Sequence, residues 1–102
     1  MEIPIKIDAQ TIAKIRDIRL TKLIPNQYLL RLGMKGSGCS GTFYAGFDTL
    51  RPQDLVFELE DQKVIINKTK LLYFFQKHLT WTEADTENGL QQGFMFSETS
   101  IK

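Results

Sequence analysis

From Tyr28 onward the apolar residues stop recurring every three or four positions and begin to alternate. Tyr28, Leu30, Leu32 and Met34 interleave with Leu29, Arg31, Gly33 and Lys35, the period-two signature of a half-buried strand. The pattern returns in Phe43, Ala45 and Phe47 against Thr42, Tyr44 and Gly46, then in Leu55, Phe57 and Leu59, then in Val64 and Ile66. "LTWTEA" and "GFMFSE" read as two further strands around an acidic loop at "DTENG". A short chain with this many alternating segments closes its core with sheets, not with a helix bundle. The polar "EDQ" between the third and fourth strands is short enough for a hairpin. Pro52 in "TLRPQD" cannot donate to a ladder, so that stretch is a loop.

Two segments break the alternation. Ala9, Ile12, Ile15 and Ile18 recur at helical spacing behind Asp8, whose carboxylate suits an N-cap, and the helix should end before "IPNQ". Asn67 can cap a short helix carrying Leu71, Leu72 and Phe75. The expectation is one domain over residues 1–102. It is mainly β in an α+β sense: a compact antiparallel β-rich domain with an N-terminal amphipathic helix and one short helical insert.

Composition excludes several functions. The formal net charge is +1 with basic residues scattered along the chain, so nothing argues for nucleic acid or a membrane surface. One cysteine rules out an intrachain disulfide. "MEIPIKIDAQ" lacks the basic-then-apolar order of a signal peptide. No apolar run approaches the roughly 20 residues that a membrane helix needs. A cytoplasmic protein is expected.

That single thiol, Cys39, sits in "RLGMKGSGCSGTFY", where Gly36, Gly38 and Gly41 spell G-x-G-x-x-G. A dinucleotide fingerprint requires a helix after the glycines, but "TFYAGFD" alternates as a strand. A P-loop would need Gly-Lys-Ser/Thr, and a phosphatase loop an arginine shortly after the cysteine; neither is present. The stretch is therefore a glycine-rich hairpin connection, which is open to two readings. It is a turn needing small residues, or it presents Cys39, flanked by Gly36, Gly38, Ser40 and Gly41, as a nucleophile, redox group or soft-metal ligand. The only histidine, His78, is placed at the end of the short helix, where a helix-end role outweighs pairing with the thiol. One cysteine does not complete a tetrahedral site, so a second copy, a small thiol or a client protein would have to supply the remaining ligands.

"LRLGMKGSGCSGTFY" resembles the segment around the first cysteine of the HesB-like, A-type iron–sulfur cluster carriers (IscA- and SufA-like proteins). "DLVFELEDQKVIINKTKLLYF" is similar to the family's acidic strand, hairpin and short helix, and "LTWTEADTENGLQQGFMF" to its following strands. The resemblance implies a compact β-rich fold, a homodimer or tetramer, and iron–sulfur assembly or client proteins as partners. It also implies a C-terminal Cys-Gly-Cys motif and an Asn-Pro after the "GF" strand. This sequence runs to "GFMFSETSIK" without either, so a divergent member lacking that tail is expected, with Cys39 alone carried over as a metal ligand.

Three functions follow. The first is binding of iron or a labile [2Fe–2S] cluster through Cys39 across a dimer, with glutathione or carboxylates completing coordination. The second is a degenerate interaction module without a metal site, anchored by aromatics such as Tyr44, Tyr73, Phe74 and Trp81, although these equally suit a core. The third, a thiol enzyme, lacks a base and a resolving cysteine, so a non-enzyme is expected. Glu83, Asp85 and Glu87 alternate as a solvated strand face would.

Overall fold

In a computed structural model of the chain, the residues described are 3–36, 41–87 and 89–98. Strand β1 (Lys6–Ile7) precedes helix α1 (Ala9–Thr21). Strands β2 (Tyr28–Lys35), β3 (Thr42–Thr49), β4 (Asp54–Leu59) and β5 (Gln62–Asn67) follow. A 3-10 helix (Lys68–Phe74) then leads to β6 (Lys77–Thr86) and β7 (Gly89–Glu98). The strands form a four-stranded sheet in the order β3-β2-β5-β4 and a three-stranded sheet in the order β1-β6-β7. The fold is thus the expected β-rich α+β type, and no helix among the described residues is long and apolar enough to cross a membrane.

Both caps are made as the side chains suggest. Asp8 Oδ1 accepts from the Thr11 amide at 2.9 Å and the Thr11 hydroxyl at 2.7 Å. Asn67 Oδ1 accepts from the Thr69 amide at 2.9 Å and the Thr69 hydroxyl at 2.7 Å. Each cap satisfies an amide that its helix cannot pair internally. The Thr11 bonds, with His78 a smaller contributor, hold the Asp8 carboxyl below the usual carboxylate range.

The sheets are mixed, which corrects the antiparallel expectation. The three hairpins β2–β3, β4–β5 and β6–β7 are antiparallel, but β2 pairs with β5 and β1 with β6 in parallel. The reason lies in β5, whose Val64, Ile65 and Ile66 are all fully buried. A strand apolar on both faces belongs inside a sheet. β4 exposes Val56 and Glu58 and takes the edge.

Other differences are local. In α1, Ile12 and Ile15 are buried together with Thr11, while Ala9 is exposed and Ile18 half-buried. The short helix is 3-10, so its inward residues are Leu71 and Phe74, three apart; Leu72 and the C-cap residue Phe75 are 82% and 51% exposed. β6 and β7 run through most of the expected acidic loop to Thr86 and from Gly89. His78 lies in β6 beside Lys6, not at a helix end, with Nε2 3.5 Å from Asp8 Oδ2.

The core joins both sheets and both helices: Ile5, Ile15, Leu30, Leu32, Phe57, Val64, Ile66, Phe74 and Leu79 form one buried cluster. On the other face of β2 stands Arg31, whose side chain is only 4% exposed. β3 ends beside Tyr28 and β4 starts beside Asn67, at opposite ends and edges of the sheet, so the connection Leu50–Gln53 must cross diagonally. Arg31 grips both ends of that crossing. Its Nε donates to Asp48 Oδ2 at 2.8 Å and its Nη1 and Nη2 to the two oxygens of Asp54 at 2.7 and 2.6 Å. Nη2 also donates to the Thr49 carbonyl at 3.1 Å. The Asp54 side chain is fully buried, and the Arg31 fork holds its carboxyl well below the usual carboxylate range.

Removing one partner of such a pair leaves a buried charge uncompensated. Arg31→Met should cost about 3 kcal/mol in urea unfolding at neutral pH, near the low end for broken buried pairs because the clamp lies under a loop. The unfolded chain protonates Asp54 near pH 4 and the folded chain only at lower pH. The clamp's contribution is therefore complete above that pH and lost as pH falls through the folded value. The deficit of the variant should shrink on acidification. A variant as stable as the wild type would show that the clamp contributes nothing.

Candidate functional site

β2 and β3 are in register to their ends, with Lys35 opposite Thr42, and the connection between them carries Cys39. Ser37, Gly38, Cys39 and Ser40 lie outside the described residues. The feet of the connection are described, and each needs its glycine. Gly36 has φ of 82°, the left-handed region that disfavours a side chain. A Cβ on Gly41 would come within 2.8 Å of Met34 Sδ and Cε, so the chain lies directly on that side chain. The glycines at 36 and 41 thus have backbone and packing reasons of their own, whatever the thiol does.

The frame beneath is aromatic. Phe43 packs on Phe74 with ring centroids 5.3 Å apart and on Phe96 at 5.4 Å. These rings come from β3, the 3-10 helix and β7, so the hairpin foot is fixed where the two sheets meet. Around it stand three ammonium groups. Lys70 Nζ lies 3.5 Å from the Gly36 carbonyl, Lys77 Nζ 5.4 Å over Phe43, and Lys35 Nζ 5.6 Å over Tyr44. Lys77 is paired with Glu98 at 2.8 Å, and that pairing holds the Glu98 carboxyl below its ordinary range.

Of the other candidates, His78 faces Asp8 across β6 and α1. Glu83 is committed to the Trp81 indole N–H at 3.0 Å and to Lys14 at 3.5 Å. The Asp85 side chain lies outside the described residues and Glu87 is exposed. Among the described residues no three His, Cys, Asp or Glu side chains gather as metal ligands would. Phe74 is core, Trp81 is half-buried, and Tyr44 and Tyr73 are each 37% exposed. The sequence pattern does not mark the placement of Tyr44, whose ring lies across Gly33 so closely that a Cβ there would collide with it.

No protein-family model matches the chain. It is 40% identical over 75 residues to the "Iron-binding protein IscA" of Serratia proteamaculans, a match covering 71% of this chain and 65% of that one. It is 37% identical over 76 residues to the protein of the same name from Cronobacter sakazakii, covering 72% and 66%. The matched segment spans just under two thirds of these relatives. A solution structure of a protein from Aquifex aeolicus superposes with a TM-score of 0.66 at 26% identity, covering 96% of this chain and 94% of that one. The likeness in sequence to these proteins and the shared fold support an IscA-like, HesB-like family member.

The contrast between glycines is testable. Gly36→Ala should lose about 1–2 kcal/mol for a forced left-handed alanine. Gly46 lies in mid-strand, and a Cβ placed on it would meet nothing within 4 Å. It should accept alanine with a gain of about 0.5–1 kcal/mol. Urea unfolding of both variants checks this; equal effects would remove the backbone argument for Gly36.

Proposed function

We propose that the protein serves iron–sulfur cluster biogenesis, binding iron or a labile [2Fe–2S] cluster as cargo through Cys39 across a homodimer. The observation that carries this reading is the similarity to proteins named for iron binding, together with a cysteine connection whose two feet are held by Gly36 and Gly41. Thiolates are the ligands of choice for iron–sulfur units. With one cysteine per chain, two copies supply two of the four thiolates that a [2Fe–2S] cluster takes, so the remaining positions fall to solvent or to small ligands. Weak retention suits a carrier that hands its cargo to assembly or client proteins. The role is binding and transfer, not catalysis.

A second reading keeps the fold as an interaction module without metal. It is favoured by the exposure of Leu72 on the 3-10 helix and Phe75 at its C-cap, 82% and 51%, since exposed apolar side chains mark contact sites.

Anaerobic reconstitution with iron and sulfide in the presence of glutathione decides between them. The expected result is a visible sulfide-to-iron charge-transfer band in wild type, absent in Cys39→Ser, with a dimer in sedimentation of the loaded protein. No band, or an equal band in both proteins, rejects the carrier reading in favour of the module. A band on a strict monomer rejects the bridging of two copies.

A further inference from the structure

From Gln62 to Thr82 the chain carries four lysines and no aspartate or glutamate. Two of the four reach carboxylates elsewhere: Lys63 lies 4.0 Å from Glu58 and Lys77 2.8 Å from Glu98. The other two, Lys68 and Lys70, belong to the 3-10 helix and have no carboxylate partner among the described residues. Lys70 Nζ lies 5.8 Å over the Tyr73 ring and 3.5 Å from the Gly36 carbonyl. The Lys68 amide donates to the Gln53 carbonyl at 2.9 Å, but the neighbouring Asp54 is spent on Arg31 and the Arg51 amide. Lys35, exposed and next in the chain to Gly36, meets only the Tyr44 ring.

The same short segment turns apolar side chains to solvent. Leu71 and Phe74 are taken by the inner side of the helix, which leaves Leu72 82%, Phe75 51% and Tyr73 37% exposed. Apolar groups and uncompensated ammonium groups therefore share one turn of chain.

Charge and area decide what can cover such a surface. A second copy seated on it by a two-fold axis would match the patch with itself and set Lys68 and Lys70 against their own equivalents. A stable protein interface needs about 800 Å² per partner. The three side chains offer roughly 300–400 Å², taking about 200 Å² for a large side chain in full. An anionic bilayer asks for neither shape nor matching area. Its headgroups attract the lysines, and its acyl boundary accepts side chains that stand clear of their own protein. We propose that the 3-10 helix is a membrane-surface contact: Leu72 and Phe75 enter the headgroup boundary of an anionic bilayer, and Lys68, Lys70 and Lys35 face its phosphates. The net charge of +1 gives no sign of this, because the field is local. The contact is peripheral, reversible and weakened by salt. It does not rest on the carrier reading, and its test needs no metal.

The test is co-sedimentation of the metal-free protein with vesicles at low ionic strength. One set is pure phosphatidylcholine, the other an equimolar mixture of phosphatidylcholine and phosphatidylglycerol. Binding should favour the anionic set and fall as salt is added. Lys68→Gln and Lys70→Gln should each weaken it about fivefold, one charge's share of the attraction to such a surface. Leu72→Ser should weaken it by about tenfold or more through lost apolar burial. Lys22→Gln, at the C-cap of α1, should change nothing. These side chains are exposed, so the variants should keep the wild-type circular dichroism spectrum. No binding to the anionic vesicles, or equal binding to both sets, would overturn the proposal. Binding indifferent to Leu72→Ser would reduce the contact to adsorption and overturn the insertion. Soluble polyglutamate bound as tightly as the vesicles would reject the bilayer in favour of an acidic protein surface.

Discussion

A single guanidinium sets the arrangement of the larger sheet. Arg31 could have been an alternating surface residue of β2, yet it is almost wholly enclosed and spends its donors on Asp48, Asp54 and the Thr49 carbonyl. Burying charge is costly, and the attraction within the pair offsets that cost only with good geometry and few unmet donors. Here the fork meets Asp54 with both terminal nitrogens, so the geometry is good. The larger consequence is topological. The connection from β3 to β4 crosses the sheet in four residues, and the clamp is what holds its two ends over β2. With β4 so placed, its hairpin puts β5 beside β2 in parallel. An apolar side chain at residue 31 could fill the same space, but nothing would then choose this crossing over a plain meander.

That parallel pairing decides what stands next to the cysteine connection. Because β5 runs alongside β2, its end at Asn67 comes level with Gly33. The 3-10 helix capped by Asn67 is therefore delivered to the same end of the sheet as Gly36. Phe74 of that helix then meets Phe43 and Phe96, and the three rings tie β3 and β7 together where neither sheet has a strand to offer the other. Edge and stacked contacts of this kind add roughly 0.5–1.5 kcal/mol per pair beyond area burial. The foot of the connection is thereby tied to both sheets.

Much of this was legible in the sequence wherever the signal was local. Alternation locates β2 to β7, and Asp8 and Asn67 announce the two caps by side-chain chemistry alone. What was not legible depends on partners distant in the chain. β1 has two residues and exists only as a parallel companion to β6. The 3-10 geometry turns Leu71 and Phe74, three apart, inward and leaves Leu72 and Phe75 exposed. Arg31 was visible only as the polar half of an alternating strand, although Asp48 and Asp54 bracketing a short loop were a usable hint. Thr11 is buried by its place beneath the Asp8 cap, not by its hydropathy. Of the candidate site, the glycines at 36 and 41 were legible as a hairpin connection; the ammonium groups around it were not, since Lys35, Lys70 and Lys77 come from three separate segments.

The carrier role proposed for this end of the molecule places opposite demands on it. A carrier must let its cargo go, which argues for few protein ligands; cargo must also survive water long enough to be delivered, which argues for more. The charges that build the fold are distinct from the ammonium groups near the hairpin foot. Arg31 and Asp54 are consumed by the crossing, whereas Lys35 and Lys70 hold no carboxylate among the described residues and nothing in the core leans on them. Charges that stabilise a structure are paired within it.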